Sequence, residues 1–106
     1  SPYAKTNVVQ LKNNKITEIV IDPFELDINA ENFRNLVGDD KKYNASKIVN
    51  LFKGEDNDFS KAVCLNAAAG LIVSEKFSDI KDAYKSARDH ILSGNTFKHL
   101  QKIQSA

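Results

Sequence analysis

Asp39-Asp40 and Glu55-Asp56-Asn57-Asp58 hold the densest carboxylates in the sequence, and converging carboxylates are what a Mg²⁺ site needs, usually together with substrate phosphates. Nothing in their spacing brings these two runs together. Each stands just ahead of a stretch with helical periodicity, where acidic side chains favour the helix dipole, so solvated loops and N-cap turns are expected. His90 and His99 fall on different predicted helices with no second ligand at i+3 or i+4, the spacing a zinc site would use. They are expected to be surface or half-buried residues. Cys64 sits beside Leu65 in a strongly apolar stretch and reads as an inert core thiol rather than a nucleophile. Asn66 is the most informative polar residue, because a buried amide left unbonded costs about 1–3 kcal/mol. It is expected to brace a neighbouring backbone segment; the functional alternative is that it orients an active-site loop.

Phosphate binding fares no better. It usually needs a glycine-rich loop whose N–H groups approach the anion, and Gly38, Gly54, Gly70 and Gly94 stand singly. Three close predicted helices, and Gly70 lies inside one, where a small residue permits close packing. Lys41-Lys42 is too short a basic run to signify. The residues therefore name no catalytic, cofactor-binding or metal-binding position.

Composition narrows the class. With 42% hydrophobic and 27% charged residues over 106 positions, the chain is expected to fold as one small domain of modest stability. Lys+Arg 15 against Asp+Glu 14 leaves a formal net charge of +1, so neither nucleic acid nor an anionic membrane is an expected partner. No apolar run reaches the length of a membrane span, the first residues carry no signal-peptide stretch, and one cysteine fits a reducing compartment. A cytoplasmic location is expected. The absence of methionine points weakly to a chain that begins inside a longer protein.

The elements that would position any site follow from periodicity. Val8–Leu11 and Ile16–Ile21 are β-prone runs joined across Asn13-Asn14, residues that tolerate positive φ, so a hairpin is expected over 8–22, closed by Asp22-Pro23. The period then becomes helical. Helices are expected at about 30–37 (capped by Asn29, stopped by Gly38), 45–53 (Asn44, Gly54), 59–75, 79–93 (Ser78, Gly94) and 97–104. The 59–75 segment is apolar on nearly every face and should be buried as the central helix. The fold class is thus α+β: an N-terminal β-hairpin followed by about five helices around a buried central helix.

A longer pattern carries more than any single residue. Leu65-Asn66-Ala67-Ala68-Ala69-Gly70-Leu71 is followed by Phe77-Ser78-Asp79-Ile80, then Ala83, Ala87, Ile91 and Ser93-Gly94. This order resembles the C-terminal signature of anthranilate phosphoribosyltransferases. Upstream, Gly38-Asp39, Asn44-Ala45 and Gly54, and before them the hairpin with Asp22-Pro23-Phe24, resemble the preceding segments of that family. Two departures concern scaffold: the family often has Gly where Glu75 stands here, and Gly where Ala83 stands.

The resemblance implies that residues 1–106 are the C-terminal part of the family's α/β domain. It implies an enzyme that transfers phosphoribosyl from phosphoribosyl pyrophosphate to anthranilate in tryptophan biosynthesis, with Mg²⁺ on the diphosphate, and that is commonly a homodimer through its N-terminal region. The family's Gly-Thr-Gly-Gly-Asp loop, Lys-His-Gly-Asn-Arg motif and Mg²⁺-binding Asp-Glu pair do not occur here. That pair typically stands just before a Ser matching Ser1. The resemblance thus carries no catalytic, cofactor or metal residue onto this chain; the expected partner is the missing N-terminal part, and the segment alone is expected to be inactive. A small non-enzymatic interaction domain, its hairpin edges open to a partner, and a relative of nucleoside phosphorylases are the other two readings.

Overall fold

The two-residue turn is the first local decision the chain makes. Asn13 and Asn14 both adopt left-handed backbone (φ 52° and 58°), as a type I′ turn requires. The turn sets the register, pairing Lys12 with Lys15 and Leu11 with Ile16, so that β1 (Thr6–Lys12) and β2 (Lys15–Ile21) form an antiparallel pair with no third strand. In this computed structural model, which describes residues 1–106, helices follow the hairpin: α1 (Lys41–Phe52), α2 (Asp58–Val73), α3 (Ile80–Leu92) and α4 (Asn95–Gln104). The expected α+β arrangement is present, with four α-helices rather than five.

The missing helix is the one expected at 30–37. Only a 3-10 turn forms there, at Phe33–Leu36, with Asn32 rather than Asn29 as its cap. The cause is tertiary: the amides of Glu31 and Asn32 donate to the Asp58 carboxylate, which holds this stretch extended just where a helix would have begun. A second 3-10 turn, Pro23–Leu26, follows β2 and is capped by Asp22, whose carboxylate accepts from Phe24 N at 3.0 Å.

Three helix starts also differ from expectation. Helix α1 begins four residues earlier than 45, because Asp40 accepts from Tyr43 N at 2.8 Å and so caps it. The Asn44 side chain instead bonds both ways with the Asp39 backbone, accepting from its N–H at 3.0 Å and donating to its carbonyl at 3.1 Å. Asp79, not Ser78, caps α3 through Lys81 N at 2.7 Å. Helix α4 starts at Asn95 after Gly94, two residues ahead of expectation. Helix α2 carries a full capping box between Asn57 and Ser60.

The core lies between α2 and α3. Cys64, Leu65 and Ala68 of α2 meet Ala83, Tyr84 and Ala87 of α3, with Leu26 and Ile28 closing one end. Three alanines at this contact let the helix axes approach closely. The expectation of a helix buried all round is corrected here. Helix α2 is covered on one side only; Asn66, Ala67, Ala69, Gly70 and Val73 are open, and Val73 is 83% exposed. Gly70 has nothing within 4 Å of where a Cβ would stand, so no close packing inside this chain explains it.

Candidate functional site

Asp58 occupies the first turn of α2, directly after the Asn57 cap, and is 4% exposed. Its position aims the carboxylate back across the 28–36 segment. One oxygen accepts from Glu31 N (2.9 Å), Asn32 N (3.0 Å) and Asn35 Nδ2 (3.0 Å). The other lies 3.3 Å from Lys61 Nζ, which itself donates to the Asn29 carbonyl at 2.6 Å. The Tyr3 hydroxyl has one proton and gives it to the Asn32 carbonyl at 2.7 Å, leaving its 3.4 Å approach to Asp58 a secondary contact. Four points of the chain (Tyr3, the 29–32 stretch, Asn35 and α2) therefore meet at one carboxylate.

Burial by itself would raise the Asp58 carboxyl, but the donors from Asn32, Asn35, Glu31 and Lys61 outweigh it and pull the pKa down to about 2. The same environment raises the Tyr3 phenol, first through burial and then through the adjacent Asp58 charge. A carboxylate this acidic, with its lone pairs already engaged, is a poor proton acceptor near neutral pH. The arrangement is a clip that fastens segments to α2, not a general base.

Asp56 and Asp40 are also engaged, while the Glu55 and Asp39 side chains are exposed. Asp56 pairs with Arg88 of α3 at 2.6 Å, a half-exposed pair that raises the Arg88 pKa and contributes under about 1 kcal/mol to stability. Asp40 caps α1, and no three His, Cys, Asp or Glu side chains are grouped so as to hold a metal ion. The carboxylates present therefore do not fit a Mg²⁺ site. Solvated loops and caps were the expectation for both runs; Asp40 meets it, while buried Asp58 departs from it.

His90 and His99 are exposed, on α3 and α4 respectively. Cys64 is buried, and burial raises its thiol pKa, as an inert core cysteine requires. Tyr84 beside it is pushed up to about 12, chiefly by burial. Asn66 is exposed, contrary to the expected buried amide, and its Nδ2 donates to the Ala62 carbonyl one turn back at 2.9 Å. It makes no hydrogen bond to a neighbouring segment. The Asp58 clip was missed in the sequence because its partners lie 23 to 27 residues away. The only local sign was an acidic residue in the first turn of α2.

An open groove of about 630 Å³ lies between the hairpin and the α2–α3 junction, with Val8, Ile19, Ile21, Ala69, Ile72 and Val73 among its walls. It is mainly apolar and gathers no set of reactive groups. No helix is long and apolar enough to cross a membrane.

Comparison with known proteins gives this geometry its context. The chain is 66% identical over 105 residues to an anthranilate phosphoribosyltransferase of Pelagibacter ubique, covering 99% of this chain and 32% of that protein. It is 36% identical over 98 residues to the enzyme of that name from Thermoanaerobacter (92% of this chain, 29% of the relative) and 37% identical over 100 residues to the one from Azospirillum brasilense (94% and 28%). The chain thus spans about a third of the length of the curated relatives it matches. Residues 1–97 match the model of the glycosyl transferase family, a/b domain, and with so nearly complete a match the chain belongs to that family.

Proposed function

We propose that these 106 residues are the C-terminal part of an anthranilate phosphoribosyltransferase, contributing scaffold to an active site formed by the rest of that enzyme. The observation that carries this reading is the 66% identity to the Pelagibacter ubique relative along 99% of the chain. The reaction moves the ribosyl 5-phosphate of phosphoribosyl pyrophosphate onto the amine of anthranilate, with pyrophosphate as leaving group, in cytoplasmic tryptophan biosynthesis. Bound in the whole enzyme, Mg²⁺ would supply charge neutralisation for the diphosphate. Its ligands are proposed to come from the rest of the enzyme; the absence here of any three His, Cys, Asp or Glu side chains grouped for a metal ion supports this. The homodimer contact of the enzyme likewise lies outside these residues.

The role left to residues 1–106 is to hold a hairpin and a helix pair in fixed relation. Anthranilate fluorescence, followed with phosphoribosyl pyrophosphate and Mg²⁺, tests the reading. The isolated chain is expected to consume none. The Pelagibacter enzyme with its matching third replaced by this chain is expected to consume anthranilate within about tenfold of the unaltered enzyme. Turnover by the isolated chain, or a folded but inactive replacement, overturns the proposal.

A further inference from the structure

The accessible surface is 7717 Å², whereas a self-contained folded chain of this 11.8 kDa mass exposes about 5,900 Å². The radius of gyration, 15.1 Å, likewise exceeds the roughly 13 Å of a compact domain of this length. The excess surface has a definite location. In the hairpin, Val9, Leu11, Ile16 and Val20 share the outward face, and the first three are 67%, 71% and 69% exposed. On the opposite face Val8, Ile19 and Ile21 wall the open groove, whose lining also takes in Val9, Leu11 and Val20. A two-stranded sheet with clustered apolar side chains on both faces, Val9, Leu11, Ile16 and Val20 on one and Val8, Ile19 and Ile21 on the other, is marginal as a free hairpin and calls for cover. The groove continues onto α2, where Asn66, Ala69, Gly70 and Val73 recur at helical spacing on the uncovered side. With no Cβ at Gly70 and open space above it, another backbone could approach closely there.

We propose that the outer hairpin face, the groove behind it and the open side of α2 form one continuous docking surface, and that its occupant is the remaining two thirds of the same enzyme. This rests on the functional reading above and adds the surface through which the two parts meet. The relative at 66% identity is about three times the length of this chain, so a cover of sufficient size belongs to the same polypeptide. A second copy of the chain fits less well. The excess of about 1,800 Å² is over twice what one partner buries in a standard interface, and one twofold contact does not reach both faces of a hairpin.

The test uses the full-length replacement enzyme, in which this chain stands as the C-terminal third of the Pelagibacter relative. Amide exchange in β1 and β2 is expected to slow by at least about 100-fold relative to the isolated chain. Replacing Val9 and Leu11 together by Lys is expected to leave the isolated chain's melting temperature within about 2 °C, because both are already in water, and to lower that of the full-length protein by about 5 °C or more. His99→Lys, on exposed α4, is the control and is expected to change neither. An insoluble replacement enzyme, a hairpin that exchanges as fast as in the isolated chain, or a double substitution that affects both forms equally would each overturn the proposal. So would an isolated chain that dimerises and is made monomeric by the double substitution, since the occupant would then be a second copy. A replacement enzyme with a protected hairpin but no transfer to anthranilate leaves the docking surface standing and removes the transferase reading.

Discussion

At Asp58, one carboxylate replaces the secondary structure that the 29–32 stretch lacks. The backbone amides of Glu31 and Asn32 have no helix or strand to satisfy them and are met by this side chain. Asp58→Ala is expected to destabilise the chain by about 2 kcal/mol, read from urea unfolding, because it removes three part-buried hydrogen bonds to one charged carboxylate. The pH dependence has a definite sign. The folded carboxyl, at about 2, lies below its ordinary value of 3.8, so the unfolded chain takes up the proton first as pH falls. The contribution is complete above about pH 4 and declines as pH falls toward 2; in acid titrations followed by circular dichroism, Asp58→Asn should lose that dependence. Glu75 shows the opposite situation, a side chain where none is wanted. It sits just past the end of α2 with φ 63°, its N–H donating to the Ile72 carbonyl while Lys76 N donates to Leu71, the double bond pattern that usually ends in glycine. The departure from the family's frequent Gly is therefore a matter of backbone strain, and Glu75→Gly should raise stability by about 1 kcal/mol in thermal melts.

At the scale of elements, caps and stops decide where helices begin and end, and the packing between helices decides which residues those stops can be. The end of α1 turns at Gly54, φ 99°, with Gly54 N bonded to Leu51 and Glu55 N to Asn50. A Cβ there would also stand 3.0 Å from the Leu92 carbonyl at the end of α3. Gly54→Ala should thus cost about 2 kcal/mol, the left-handed backbone and the crowding both contributing, and should shift the urea midpoint without changing its slope. The hairpin needs no such help from tertiary contacts, since Asn13-Asn14 already specify its turn and register. What the hairpin lacks is a sheet to join.

For the whole molecule, the deciding quantity is surface. Only 13 of 106 residues are buried, so the core between α2 and α3 stabilises the chain weakly. The isolated chain is expected to melt more than about 10 °C below the full-length replacement enzyme in matched calorimetric scans, because that enzyme also buries the hairpin and the open side of α2. Equal melting temperatures would show that the chain is a complete cooperative unit. On the proposed reading, the open surface and the span of about a third of the relatives' length go together.

Sequence alone determined what depends on near neighbours. The Asn-Asn turn, the glycine stops at Gly54 and Gly94, the amphipathic period of α3 and the buried Cys64 all follow from contacts within a few residues or from apolar content. The ordered pattern from Leu65 to Gly94 was enough to indicate the family. It also marked α2 as buried on every side, which the structure corrects: one side is covered and the side with Asn66, Ala69, Gly70 and Val73 is open. Tertiary structure decided the rest. It turned the expected 30–37 helix into an extended stretch and a 3-10 turn, and made Asp58 a buried clip rather than a solvated cap. It also placed Asn66 on an open surface. For the 30–37 stretch and Asp58 the deciding partners lie 23 to 27 residues away in sequence. Local propensities of a few tenths of a kcal/mol per residue yield to several hydrogen bonds on one buried charge.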